Sequence, residues 1–233
     1  MTLSRLCVAI ALSLLLAACG ERAAYRYKLT LSVDTSDGVR TASTVAEVLV
    51  YAVSIPDHGA MHKLTAEALY LDLGEGRRPL IALLTSFLNG NKPHWSRDGG
   101  PNTDFELGLY GQSTPHGETA FDQISRLSKF RGPKAIEPED LPDLVTFADT
   151  ADPKSVIAVD PNDLTATLGP NIKWRAITLE ATDEPITRSI ADKLPWLKNM
   201  SSLLDGTEYN VVANKALSNK IGTDSFIHPK RED

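Results

Sequence analysis

The sequence predicts an α+β domain, rich in antiparallel strands and with a few short helices, over residues 25–233. Three patterns support this fold class. Residues 25–33 alternate between apolar and polar side chains, as the residues of a half-buried strand do. Asp37-Gly38 then marks a tight turn before the Val-rich run of residues 44–53. Much later, Phe121, Ile124 and Leu127 form a helical stripe.

The first two strands are predicted to form an antiparallel hairpin. The apolar face of the first strand consists of Tyr25, Tyr27, Leu29, Leu31 and Val33. Residues Thr44–Val53 are apolar on both faces except for Glu47, which is typical of a central strand. Residues 20–24 leave a short tether before the hairpin, at most about 17 Å long when fully extended.

The middle of the chain is predicted to contain a third strand, an ambiguous apolar run, a loop and a helix. The strand covers Ala68–Leu73, and the turn at residues 74–78 follows it. Residues 80–88 fit either a strand or a short buried helix. Residues 89–117 are typical of a loop, with a brief strand at 105–109, and Glu118–Arg131 is predicted as a helix ended by Gly132-Pro133.

The last third is predicted to alternate short elements. An acidic linker at residues 137–140 precedes a strand at Leu144–Ala148. Asp160 and Pro161 have the order of a helix start, and Gly169 ends that helix. A strand is expected at residues 174–179, and Glu184-Pro185 is expected to open a helix that runs toward Leu194. The tail after residue 206 is polar apart from an apolar patch at 209–213.

The first 18 residues have the composition of a secretory leader. Arg5 is the only charged residue before Glu21, and an apolar run fills residues 6–18. This run is too short for a comfortable transmembrane helix, which needs about 20 apolar residues. An uncleaved N-terminal anchor is the alternative interpretation.

The motif Leu16-Ala17-Ala18-Cys19 at the end of this run resembles the lipobox of bacterial lipoprotein precursors. The resemblance implies cleavage between Ala18 and Cys19, diacylglyceryl transfer to the Cys19 sulfur and acylation of the new amino group, for which palmitate is a typical acyl chain. Residues 1–18 would then be the signal peptide and 19–24 the lipidated tether. Gly20 follows the cysteine where Asp would resemble an inner-membrane retention signal, so the inner leaflet of an outer membrane is the favoured address.

A second resemblance covers Leu144–Leu197 and much of the chain around it. The segments Leu-Val-Thr-Phe-Ala-Asp and Leu-Pro-Trp-Leu within this range are similar to those of an uncharacterised proteobacterial family whose members are often lipoproteins. This resemblance implies a single co-folded unit and no particular activity.

Charge and cysteine content limit the classes of partner. Removal of the first 18 of the 233 residues leaves a chain of 215 residues. It removes one of the 24 basic residues and none of the 30 acidic ones, so the remaining chain has a charge of −7. An acidic balance without a basic stripe argues against nucleic acid or anionic lipid headgroups as the main partner. Cys7 leaves with the leader and Cys19 is consumed by lipid, so we expect no free thiol, disulfide or cysteine-ligated metal in the domain.

Candidate reactive groups are sparse, and no catalytic residue, metal ligand or cofactor is predicted. His58 and His62 have the helical spacing of a metal-binding pair, but Gly59 lies between them and solvated loop histidines are the simpler interpretation. Asp98, Asn102 and Asp104 lack the calcium-loop spacing. Ser113 and His116 lie in a segment that lacks the second glycine of a nucleophile elbow.

Four carboxylates and three tryptophans complete the candidates. Asp149, Asp152, Asp160 and Asp163 offer acid–base pairs, but turn and cap roles explain them more simply. Core packing is the default interpretation for Trp95, Trp174 and Trp196.

The sequence therefore favours an envelope lipoprotein that faces the periplasm, is held by lipid on Cys19, and binds a partner protein or ligand or supports envelope assembly. The alternatives are a periplasmic hydrolase that uses His58, His62, His116 or the Asp149–Asp163 region, and an accessory subunit of an export or phage-related apparatus.

Overall fold

The computed structural model describes residues 21–55, 58–85, 118–136, 141–210, 214 and 216–228. Their strands are β1 (Arg22–Thr35), β2 (Gly38–Ile55), β3 (His58–Glu67), β4 (Leu69–Leu71), β5 (Leu80–Ala82), β6 (Lys134–Ala135), β7 (Leu144–Phe147), β8 (Val156–Ala158), β9 (Lys173–Thr182) and β10 (Ile227–His228). The α-helices are α1 (Ala120–Leu127), α2 (Leu164–Leu168) and α3 (Ile190–Lys193). Short 3-10 helices cover Pro153–Ser155, Pro195–Lys198, Leu217–Asn219 and Thr223–Ser225.

Two antiparallel sheets organise these elements. The six-stranded sheet has the order β10-β3-β2-β1-β9-β6, and the four-stranded sheet has the order β4-β5-β7-β8. Every pairing within them is antiparallel. The prediction of an antiparallel, strand-rich domain is confirmed.

The long β1–β2 hairpin confirms the prediction for the first two strands. It turns at residues 35–38, where Gly38 has φ 111°, a left-handed conformation that favours glycine. Leu31 and Val33 on β1 are fully buried, while Ser32 between them is only half-buried. β2 is central in its sheet, as its apolar composition predicts. β9 pairs with the other side of β1 and confirms the strand predicted around residues 174–179.

The four-stranded sheet is buried on both faces. Leu71, Leu80 and Leu144 belong to the core that it shares with the six-stranded sheet, whereas Ile81 and Val145 belong to a second core under the C-terminal segment. Strands that are covered on both faces have continuous apolar runs, which explains why periodicity leaves residues 80–88 ambiguous. Leu80–Ala82 form a strand, and residues 86–88 lie outside the described part.

β3 is a strand that the sequence does not predict, and the loop interpretation of His58 and His62 is wrong. The strand pairs with β2 over most of its length, with His62 opposite Val50. It then passes through Ala68 into β4, so consecutive residues belong to both sheets. The predicted strand at Ala68–Leu73 is confirmed in its central part.

The helices differ from the predictions at their ends. α1 begins after Thr119, whose side chain and that of Asp122 form a reciprocal capping box, and it ends at Leu127 rather than Arg131. Ile124 and Leu127 of the predicted stripe are buried. α2 is capped by Asp163 rather than Asp160, and it ends at Gly169 with φ 102°.

The helix predicted from Glu184-Pro185 does not form there. Residues 183–189 are instead an extended strap, and α3 begins only at Ile190. Thr187 exchanges hydrogen bonds with the backbone of Val45, at 2.9 Å to its side chain and 3.1 Å from its amide. The strap therefore crosses β1 and β2 on the outer face of the sheet, away from the shared core.

Within the described ranges, no helix has the length and apolar character needed to cross a membrane. The longest, α1, has eight residues.

We expect Phe226→Ala to lower the free energy of unfolding by about 3–5 kcal/mol, because truncating a buried aromatic ring leaves a cavity. Phe226 is fully buried, and its ring centroid lies 6.1 Å from that of Phe147 and 5.5 Å from that of Trp196. Tyr209→Ala is the control, since Tyr209 is 77% exposed and its loss should change stability by no more than about 0.5 kcal/mol. Urea unfolding measures both variants, and equal effects would contradict the importance of the second core.

Candidate functional site

The N-terminal end of the long hairpin is the part of the described chain nearest to the predicted lipid site. Ala18 and Cys19 lie outside the described residues. β1 begins at Arg22, three residues before the start predicted at Tyr25, so the predicted tether at 19–24 already contains strand residues. The backbone N–H of Ala52 donates to the carbonyl oxygen of Glu21 at 2.9 Å. Only residues 19–21 then separate the predicted lipid from the sheet.

Two rows of side chains cross three strands on the outer face at this end. Register places Arg22 opposite Tyr51 and Tyr51 opposite Met61. The next row contains Ala24, Leu49 and Lys63. We call these six residues the anchor patch. Met61 is 45% exposed, Arg22 and Ala24 are exposed, and the other three are half-buried.

Ion pairs and the strap close the outer face beyond the anchor patch. Arg26 Nε donates to Glu47 Oε2 at 2.9 Å, and Arg26 also donates to the carbonyl oxygen of Glu184 at 3.3 Å. Lys28 donates to the Glu184 carboxylate and lies 3.6 Å from that of Glu180. The hydrogen bond to Glu184 raises the pKa of Lys28. The strap is thus fixed to the sheet by charged groups.

Glu67 attaches the strap at its other end. Its Oε2 accepts hydrogen bonds from the backbone N–H groups of Ser189 at 2.6 Å and Ile190 at 3.0 Å. Its carbonyl oxygen accepts from the hydroxyl of Thr44 at 3.1 Å. Glu67 is 5% exposed, so this carboxylate has a structural role in joining β2, β3 and α3.

The histidines do not form the metal pair that helical spacing would give. His58 and His62 are both in β3, and four residues of extended strand separate them by about 13 Å. His62 Nε2 and His228 Nε2 are both buried without a hydrogen-bond partner. His228 lies opposite Ala66, again four strand residues from His62. No group of three or more metal-ligating side chains occurs among the residues described.

The four clustered carboxylates have the turn and cap roles expected of them. Asp149 accepts from the Ala151 amide at 2.9 Å, and Asp152 caps the 3-10 helix at Pro153–Ser155. Asp160 and Asp163 similarly accept from backbone amides two and three residues later. Hydrogen bonds from Thr165 and from the Ala166 amide lower the pKa of Asp163.

Two of the three tryptophans pack against the cores, and the other remaining candidates lie outside the described residues. Trp196 packs against Phe147 with ring centroids 5.8 Å apart, and its Nε1 donates to the Thr150 carbonyl oxygen at 3.0 Å. Trp174 packs against the shared core. Five candidates and one tryptophan lie outside the described residues: Asp98, Asn102, Asp104, Ser113, His116 and Trp95.

An open cleft of about 390 Å³, the distal cleft, lies at the opposite end of the hairpin. It is lined by Ser36, Gly76, Arg77, Arg78, Thr167, Leu168, Gly169, Pro170 and Asn171. Arg77 donates to Asp37 at 2.8 Å and to Ser36 at 2.6 Å, and the bond from Arg77 lowers the pKa of Asp37. Arg78 is exposed and lies 3.5 Å from the Thr167 carbonyl oxygen. β1 has 14 residues, so the two ends are roughly 45 Å apart.

Sequence reasoning missed Glu67, His228, the anchor patch and the distal cleft. The patch depends on the register of three strands, and the cleft joins a turn at residues 74–78 to the end of α2. The basic pair Arg77-Arg78 inside a turn was the only local signal for either.

We expect stability to fall as the pH is lowered from about 7.5 to 5, with His228 contributing to the loss. Burial lowers the pKa of His228, while the nearby Asp224 charge and backbone act in the opposite direction. The folded state therefore binds a proton less readily than the unfolded chain, whose His pKa is about 6.5. The contribution is present above that pH and is lost as the pH falls toward the folded-state pKa.

Urea unfolding at several pH values measures this effect in wild type and in His228→Asn, which keeps a donor near the Nδ1 position. All carboxylates are common to both proteins, so the difference between their pH profiles reports on His228. Identical profiles would contradict the proposed burial of a neutral imidazole.

Comparisons with known proteins give no match. No protein-family model matches the chain, and neither a curated protein nor a solved structure matches it. Function is therefore inferred from the chain's own residues and their surroundings.

Proposed function

We propose that the chain is an envelope lipoprotein, held in the inner leaflet of an outer membrane by lipid on Cys19, with an α+β domain that faces the periplasm and binds a partner protein or ligand. The observation that carries this proposal is the motif Leu16-Ala17-Ala18-Cys19 at the end of an apolar run that follows Arg5. A lone acyl chain binds a bilayer only marginally, whereas two or three chains anchor a protein durably.

The cysteine content is consistent with this role. The sequence contains two cysteines, one inside the proposed leader and one at the proposed lipid site. An exported domain with no other thiol has no cysteine for oxidants to attack and no wrong disulfide to form. Its stability then rests on packing, and the two cores supply that packing.

Partner binding is proposed at the distal cleft because it combines volume, exposed cationic character and distance from the anchor. A volume of about 390 Å³ lies within the range of ligand sites. Arg78 offers a planar guanidinium that pairs well with carboxylate or phosphate. The described carboxylates at residues 149–163 are already used in local hydrogen bonds, which favours binding over acid–base catalysis.

We expect Cys19→Ser to move the protein from the membrane fraction to the soluble fraction and to remove the diacylglyceryl and acyl mass from its N-terminal peptide. The matched control is Cys7→Ser, which removes the other cysteine and should leave both lipid and membrane association intact. Mass spectrometry and fractionation measure the two effects. A wild-type protein with a bare Cys19 sulfur, or with its leader attached, would overturn the proposal.

We expect Arg78→Glu to lower recovery of a bound partner when the lipidated protein is purified from its native envelope after mild cross-linking. The change reverses the charge of the exposed cation in the distal cleft. Lys220→Glu makes the same charge change at an exposed position outside the cleft and should leave recovery unchanged. Equal recovery from the two variants would contradict binding at the distal cleft.

A further inference from the structure

We propose that the anchor patch contacts the surface of the lipid bilayer, so that the protein is held by a protein surface as well as by its acyl chains. This inference rests on the proposed lipid at Cys19. It assigns a second membrane-binding element to Arg22, Ala24, Leu49, Tyr51, Met61 and Lys63 of the six-stranded sheet.

The length of the tether forces the hairpin end close to lipid. Gly20 and Glu21 are the two residues between Cys19 and Arg22, so three residue steps give a reach of at most about 11 Å. The β2–β3 pair continues past the row of Arg22 and Tyr51 to Ile55 and His58, four residues further along β2, or about 13 Å. The sheet therefore extends past Arg22 by about as much as the distance that the tether can place between Arg22 and Cys19. With Cys19 at the bilayer surface, this end of the sheet has to rest on lipid.

The outer face is the side that is available for this contact. On the inner face, Tyr25 is 4% exposed and Val50 is fully buried, and both belong to the shared core. On the outer face, the strap covers the sheet only from the level of Arg26 and Val45 onward. The anchor patch lies between the strap and the end of the sheet.

The side chains of the anchor patch suit a membrane interface. Tyrosine is enriched at the level of lipid headgroups because its ring is apolar and its hydroxyl is polar. Met61 and Leu49 offer apolar area that gains from contact with the headgroup–acyl boundary. Arg22 and Lys63 flank them and can place their charges among phosphates while their stems stay in apolar surroundings.

Charge favours the same orientation. The chain without its leader has a charge of −7, whereas the six residues of the patch include two cations and no acid; Glu21 and Asp57 are the acidic residues next to it in the sequence. The Glu47 carboxylate on the same face is paired with Arg26 at 2.9 Å. Within an acidic domain, a patch that has two cations and no acid meets anionic lipid with less repulsion than the rest of the surface does.

The experiment uses the full lipidated chain, purified from membranes and reconstituted into vesicles of phosphatidylethanolamine and phosphatidylglycerol. Met61→Cys supplies a single reactive thiol for an environment-sensitive fluorophore, because the Cys19 sulfur is a thioether in the lipidated protein. Nitroxide-labelled lipids in the vesicle then quench a fluorophore that lies at the bilayer surface. We expect the label at position 61 to shift to the blue and to lose roughly half of its intensity, more with a headgroup nitroxide than with one deep in the acyl chain.

Val39→Cys is the matched control. Val39 is 51% exposed, similar to Met61, and lies on the same face of the same sheet. Twelve residues of β2 separate it from Tyr51, or about 40 Å, so its label should not be quenched. Both positions are on the surface, and unchanged thermal unfolding of the labelled proteins checks that the fold is retained.

The outcomes separate the two proposals. A mass spectrum without lipid on Cys19 overturns the anchor, and the bilayer contact falls with it. A lipidated protein whose label at position 61 is no more quenched than that at position 39 overturns the bilayer contact alone, and it leaves the patch as a surface for a protein partner. Strong quenching at position 61 and none at position 39 supports the contact.

Discussion

The passage of one strand from the first sheet into the second is the constraint on which the rest of the structure depends. β3 ends at Glu67 and β4 begins at Leu69, so Ala68 is the only residue between the two sheets. The Ala68 amide donates to the Phe226 carbonyl oxygen at 2.8 Å, which brings the C-terminal segment to the same point. Because the four-stranded sheet is covered on both faces, it contributes side chains to both cores.

Polar groups at this junction fix its geometry, while apolar burial stabilises it. Glu67 joins three elements through three hydrogen bonds. The two that its carboxylate accepts are bonds to a charged group, which contribute about 1.5–3 kcal/mol each. Elsewhere in the second sheet, Thr146 is fully buried and donates to the Pro79 carbonyl oxygen at 2.6 Å. These bonds satisfy polar atoms that burial would otherwise penalise. The two bonds to the Glu67 carboxylate also fix the end of the strap at Ser189 and Ile190.

The parts of the fold that could be predicted are those whose pattern is local. β1 has one buried face, so its alternation is visible, and the turn at Gly38 has its own residue signature. β3 could not be predicted because Gly59 and two histidines interrupt its pattern, and because its identity depends on pairing with β2. Glu184-Pro185 has the composition of a helix start, but contacts with Arg26 and Lys28, more than 150 residues away, hold that segment extended.

The candidate sites also differ in whether a local sequence pattern reveals them. The proposed lipid motif consists of four consecutive residues, so the sequence alone reveals it without tertiary structure. The anchor patch forms only when strand register aligns Arg22, Tyr51 and Met61. These residues lie on three different strands, so no short segment of the sequence contains them all.

The two ends of the β1–β2 hairpin therefore have different chemistry on one rigid element. The end next to the proposed lipid presents apolar and basic side chains, and the other end presents Arg77 and Arg78 beside an open cleft. A strand of 14 residues with pairing on both sides does not bend easily, since each of its neighbours would have to bend with it. If the anchor patch rests on the bilayer, the distal cleft lies no more than about 45 Å above the bilayer surface. A partner that binds the distal cleft would then be met within about 45 Å of the membrane, without a flexible stalk.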